Sequence, residues 1–144
     1  YNRNAYDYFI YNEKNIKNYM VVTFDLNNLK MCNDNYGHSS GDAYIIHSAH
    51  IIETTFDRFG KCYRIGGDEF CCLIPDAAEF QIERFIQKMQ QDIAILNNKN
   101  IIPTEVGIAC GYALATPDDA DIEKVRERAD EMMYHNKKVL KGLI

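Results

Sequence analysis

Tyr63-Arg64-Ile65-Gly66-Gly67-Asp68-Glu69-Phe70-Cys71-Cys72-Leu73-Ile74 is the most informative stretch of the chain, because two apolar runs flank a short polar segment that carries two glycines and two acids. That pattern predicts a β-hairpin with Asp68 and Glu69 at its tip. Upstream, Met20, Val22 and Phe24 alternate with Val21, Thr23 and Asp25, which reads as a strand with an acid at its C-terminal end. If these strands are neighbours, Asp25, Asp68 and Glu69 converge at one end of a sheet. A fourth strand is expected over 106–114, where Val106, Ile108, Cys110, Tyr112 and Leu114 alternate.

Helical spacing fills the intervals. Ile45, Ala49, Ile52 and Phe56 place a helix from about Asp42 to Phe56, and Ile82, Phe85, Ile86, Met89, Ile93 and Leu96 form one apolar stripe. Asp76 with Glu79 reads as a capping box for that second helix, and Asn97 to Asn100 end it. Thr116-Pro117-Asp118-Asp119 reads as the start of a last helix, with Ile122, Val125, Ala129 and Met132 or Met133 inward. A further helix is expected within 2–18. The sum is an α+β domain, a mainly antiparallel sheet with a layer of helices.

Composition agrees with one domain and narrows its partners. The 144 residues are 47% hydrophobic and 26% charged, without a repeat or a low-complexity linker. Sixteen Lys plus Arg against 21 Asp plus Glu leave a charge of −5 with no basic run, which argues against a nucleic acid polymer or an anionic lipid surface. Five cysteines at 32, 62, 71, 72 and 110, with no metal-ligand spacing, read as reduced core thiols in a cytoplasmic setting. His47 and His50 read as ordinary surface or core-edge histidines.

Three carboxylates at one sheet end cannot all stay ionised without a cation, and a few hard oxygen ligands suit Mg²⁺, with Mn²⁺ as the alternative. Gly66 and Gly67 leave backbone open to a bulky ligand such as a nucleotide. Between strand and helix, 25–42 is rich in polar groups and punctuated by glycine, which reads as a ligand-binding loop. In it Lys30 offers charge for phosphate, while Asn33 and Asp42 have the donors and acceptors to hold the edge of a base.

These residues also carry a resemblance. Arg64 to Phe70 is similar to the signature of the GGDEF family, the diguanylate cyclases. Asp25 to Asp42, with Lys30, Asn33-Asp34, Gly37-His38 and Gly41-Asp42, resembles that family's second block with the same spacing. Gly107-Ile108-Ala109 and the Arg128-Ala129-Asp130, Tyr134 and Lys137 set resemble two more, so the likeness covers nearly the whole chain.

The resemblance implies a nucleotidyl-cyclase or polymerase-palm-like fold and the Mg²⁺-dependent condensation of two GTP into cyclic di-GMP with release of two pyrophosphates. It implies Asp25, the Leu26 carbonyl, Asp68 and Glu69 as metal ligands, and Asp68, Glu69 and Lys30 as catalytic residues. Asn33, His38, Asp42, Gly66, Gly67 and Lys137 would bind substrate. Each domain would hold one GTP, so a two-fold homodimer is required, with residues 1–144 as the single catalytic domain of a longer protein bearing an upstream sensor. The alternative is a catalytically inactive GTP-binding module for regulation or dimerisation. The family's R-x-x-D product site would start at 57, where Asp57-Arg58-Phe59-Gly60 stands, so no product inhibition is expected through it.

Overall fold

The computed structural model describes residues 1–142. Along the chain lie α1 (Arg3–Asn12), β1 (Met20–Leu26), α2 (Leu29–Tyr36), α3 (His38–Phe56) and β2 (Lys61–Arg64), then β3 (Glu69–Ile74), α4 (Ile82–Asn98), β4 (Ile108–Leu114) and α5 (Ile122–Leu140). The strands form one sheet in the order β2-β3-β1-β4, and every pairing is antiparallel. The hairpin and the central strand ending on an acid are therefore where the sequence places them.

Helices cover both faces of the sheet instead of forming one layer, because β1 has no solvent face: all 7 of its residues are buried. Met20, Val22, Phe24 and Leu26 join a core with Tyr44, Ile52 and Phe56 of α3 and Met89 and Ile93 of α4. Val21 points the other way, where Cys71 and Leu73 meet Tyr6 of α1 and Ile122, Val125 and Ala129 of α5. Strand alternation thus sorts β1 into two cores, and Asp25 shares the parity of Val21. Its side chain belongs to the α5 face.

Gly111 brings α5 down onto that face. A Cβ there would lie 2.2 Å from the Ala129 carbonyl oxygen and 2.3 Å from the Met133 nitrogen, so the helix backbone rests directly on β4. All five cysteines are free and buried. Burial pushes the Cys71 and Cys110 thiols well above their ordinary value, which suits inert core residues.

Four boundaries differ from the expectation. Asp76 sits at φ 50° in the left-handed region and caps nothing; α4 instead begins after Gln81, which makes no side-chain cap bond. Helix α5 begins after Asp121, whose side chain accepts from the Lys124 N–H at 3.1 Å. Residues 116–119 form a loop in which Asp119 accepts from the Thr116 N–H at 2.7 Å. The segment 29–36, read as loop, is helical, and α3 starts at His38. Strand β4 starts at Ile108, because Val106 is bonded in both directions by the Asn97 carboxamide.

One hydroxyl ties the loop after β1 to the rest. Tyr44, fully buried, donates to the Asn27 carbonyl at 2.6 Å and accepts from the Gly107 N–H at 3.0 Å. The Asn27 N–H in turn donates to the Gly107 carbonyl at 2.8 Å. Burial pushes the Tyr44 phenol up to about 12, so it stays a neutral donor. Removing the hydroxyl strands a carbonyl and an N–H away from water. Tyr44→Phe is expected to lower stability by about 1–3 kcal/mol, read from urea unfolding; a loss below a few tenths would deny the clamp its role.

Arg128 of α5 holds the 116–119 loop, with Nη2 donating to Asp119 Oδ2 at 2.9 Å and to the Leu114 carbonyl at 2.8 Å. The Arg128 bond draws the Asp119 carboxyl from 3.8 down to about 2. A carboxyl lowered in the folded state stabilises above its unfolded pKa and loses that contribution as pH falls through its folded one. Wild type should therefore lose stability between pH 3.8 and about 2, and Asp119→Asn should be less stable at neutral pH with a flatter acid limb. Melting curves across that range check this.

Candidate active site

The site lies where β1 and the β2–β3 hairpin end together. Asp25 stands opposite Glu69 in the register, and the Leu26 N–H donates to the Asp68 carbonyl at 2.9 Å. Arg64 shapes the hairpin tip by donating to the Gly66 carbonyl at 3.2 Å and the Gly67 carbonyl at 2.8 Å. Neither glycine has a positive φ. A Cβ on Gly67 would touch nothing, and one on Gly66 would make only ordinary contact with Glu69. The glycines keep the outside of the tip clear rather than bending it.

Asp25 is the electrostatic centre. Its side chain is 4% exposed, and Oδ2 accepts from Lys137 Nζ at 2.9 Å. Oδ1 is buried with no hydrogen-bond partner. Burial pushes the Asp25 carboxyl above its ordinary value, the Lys137 bond pulls against that, and the charges of Asp68 and Glu69 push the same way as burial. For Lys137, burial acts downward, but the bond and charge of Asp25 outweigh it and hold the ammonium above its ordinary value. The bond thus favours the lysine's charged form, while burial works against the acid's.

Asp68 and Glu69 are half-buried beside it. Among the described residues no three His, Cys, Asp or Glu side chains are gathered closely enough to hold a metal ion. The convergence expected from the sequence is thus one of backbone positions, with one carboxylate already held by a lysine. The donor set is nonetheless all oxygen, and the bare Asp25 Oδ1 is the kind of buried group that a hard cation satisfies. These residues fit Mg²⁺ chemistry on those grounds.

In front of the acids opens a cleft of about 470 Å³ whose lining includes Leu26, Lys30, Asp68, Lys137 and Lys141. Three lysines, Lys30, Lys137 and Lys141, against two acids, Asp34 and Asp68, leave a small local cation excess in a chain of charge −5. Asn28, in the left-handed conformation at φ 60°, starts α2 so that its first turn lines this cleft. Asn33, His38 and Asp42 lie outside that lining, at the α2–α3 junction. There Gly41 makes room for Asn33: a Cβ on Gly41 would sit 1.6 Å from Asn33 Oδ1. The Asn33 carboxamide therefore lies over the turn that presents Asp42, while His38 is the exposed first residue of α3.

Several contributors are not singled out by the sequence. Tyr44 looks like another apolar position of α3, Asn28 like one more polar loop residue, and Arg64 acts through its side chain on the signature's own carbonyls. His47 and His50 border a separate groove between α3 and α4, with Asp92 and Lys99. No helix among the described residues is long and apolar enough to cross a membrane.

Similarity to other proteins agrees with this geometry. Residues 1–141 match the family described as diguanylate cyclase, GGDEF domain. Diguanylate cyclase DgcN of Escherichia coli is 31% identical over 119 residues, 81% of this chain and 29% of that protein. An uncharacterized membrane protein of Staphylococcus saprophyticus, SSP1970, is 30% identical over 126 residues, 85% of this chain and 35% of that protein. The chain therefore spans about a third of the length of these relatives. In structure it is similar to the GGDEF domain of DgcB from Caulobacter crescentus, crystallised in complex with c-di-GMP, with a TM-score of 0.80, 23% identity, and coverage of 95% of this chain and 85% of that one. With four sequence blocks in order, an antiparallel sheet carrying the signature at a hairpin tip, and a match over residues 1–141, the chain belongs to the GGDEF family, that of the diguanylate cyclases.

Proposed function

We propose that this chain is an active diguanylate cyclase domain that condenses two GTP into cyclic di-GMP. The observation that carries the reading is the buried Asp25 Oδ1, without a partner and next to a lysine-lined cleft that also presents Asp68. A carboxylate with one oxygen still unpartnered, beside a basin with excess positive charge, is complementary to a metal-bound triphosphate. Asp25, the Leu26 carbonyl, Asp68 and Glu69 would hold Mg²⁺ or Mn²⁺. Held there, such an ion would supply Lewis-acid stabilisation of the charge that develops on the phosphates.

The chain's own residues do the rest. Lys30 and Lys137 set positive charge against the polyphosphate, with Lys141 beside them. Asp68 accepts the proton of the attacking 3′-hydroxyl. As the 3′-oxygen bonds to the α-phosphorus of the other nucleotide, the bond to the β-phosphate oxygen breaks and pyrophosphate leaves. Two such steps close the ring, and they require two domains facing each other with two-fold symmetry. Gly66 and Gly67, clear on their outer side, allow a nucleotide against the hairpin tip. Asn33 and Asp42 read guanine, and a carboxylate at 42 accepts from its N1–H and N2–H edge, which adenine lacks; His38 adds a further contact. The domain works within a longer protein whose sensor controls the pairing, and its buried free thiols suit a cytoplasmic setting. At position 60 a Cβ would lie 2.2 Å from the Leu73 carbonyl oxygen, so no acid of an R-x-x-D product site fits there.

One observation favours the inactive binding module instead: the acids are not gathered into a ligand set. Incubation of enforced dimers with GTP and Mg²⁺ decides between the readings. Cyclic di-GMP identified by mass spectrometry, and lost in Asp68→Ala, is the expected result. GTP binding by calorimetry without product would move the chain to the module reading, and neither binding nor product would sink both.

Gly41→Ala tests the base-reading junction. The added methyl displaces the Asn33 carboxamide, while alanine's better helix propensity offsets part of the local cost. GTP affinity should fall about tenfold with the melting temperature nearly unchanged; unchanged affinity would remove Asn33 from recognition.

A further inference from the structure

Asp25 already has a cation, and it comes from the far end of the chain. Lys137 Nζ lies 2.9 Å from Oδ2, with 26% of the lysine side chain exposed against 4% of the aspartate's. The two residues are 112 positions apart, and the contact exists because Gly111 seats α5 on β4 one turn before Lys137. Lys137 also lines the cleft with Lys30 and Lys141. One ammonium is therefore within reach of both the buried carboxylate and the basin that a polyphosphate would occupy. Its four-carbon stem can turn from one to the other without moving the helix.

We propose that Lys137 is a built-in competitor for the metal: without nucleotide it occupies Asp25 and keeps divalent affinity low, and a polyphosphate in the cleft draws it off. Ion and nucleotide then load together. The physical reason is charge. A divalent ion arriving at Oδ1 would share one small carboxylate with an ammonium, and like charges at that separation repel strongly in a water-poor pocket. Once a polyphosphate offers Lys137 another partner, both Asp25 oxygens become available, so each ligand favours the other's binding. The same exchange protects the fold, because a buried carboxylate left with neither cation is destabilising. The proposal deepens the reading of the preceding subsection and rests on it.

Titration of the nucleotide-free chain with Mn²⁺, followed by the electron paramagnetic resonance of free Mn²⁺, tests it. Lys137→Met should bind the metal alone about tenfold or more tightly than wild type. Lys137→Arg, which keeps the competing charge, should stay near wild type. In EDTA the Met variant should melt below wild type, and Mn²⁺ should restore it. Lys137→Gln serves the same test if the Met variant does not fold. Metal-alone affinity that is unchanged or weaker in the uncharged variant overturns the proposal. Retention of Mn²⁺ with GTP by wild type in equilibrium dialysis leaves the metal-nucleotide reading standing in that event; no retention there overturns that reading as well.

Discussion

A carboxylate buried at the end of the central strand is the constraint around which this molecule is organised. Asp25 ends a strand with neighbours on both edges and helices on both faces, so water cannot solvate it and its charge must be met from within. Helix α5 meets it with Lys137, and α5 can do so only because β4 presents a glycine where the helix crosses. Sheet order, helix approach and the identity of one residue in an edge strand are all tied to that single charge. The excess of acids over bases in the whole chain coexists with a local gathering of Lys30, Lys137 and Lys141 in one cleft.

Much of this is legible in the sequence where the signal is local. The alternation of β1 and the polar tip between two apolar runs give the hairpin and bring Asp25 opposite Glu69. The apolar stripe of α4 gives that helix its body. Errors fall where two local rules compete. Asp76 and Glu79 have the spacing of a capping box, but Asp76 adopts a left-handed turn, and the helix starts six residues later. Pro117 is a plausible first-turn residue, yet Asp119 spends its carboxylate on Thr116 and Arg128, and Asp121 makes the cap. Helix α2 buries only Leu29 and Cys32, too few for a visible stripe, so its polar residues read as loop.

The least legible features are pairings between distant residues. Nothing near Lys137 distinguishes a lysine that favours a helix C-terminus from one committed to a buried acid; only the packing of α5 decides it. Likewise Tyr44 occupies a position that apolar periodicity would fill equally well with phenylalanine. Its hydroxyl acquires meaning only when residues 27 and 107 arrive beside it. Asn33 and Gly41 are a gentler case: their spacing is visible in the chain, but that one exists to make room for the other is visible only in three dimensions.

The Tyr44 clamp has a mechanical implication. One hydroxyl joins the helix that presents Asp42, the turn that follows Asp25, and the approach to β4. The helix carrying Asp42, the turn after Asp25 and the approach to β4 are thus braced against one another through a single buried oxygen. A molecule built this way has little to gain from opening and closing like a jaw. On the proposed chemistry, in which two nucleotides meet between two domains, the distance and angle between two whole bodies would then set the pace.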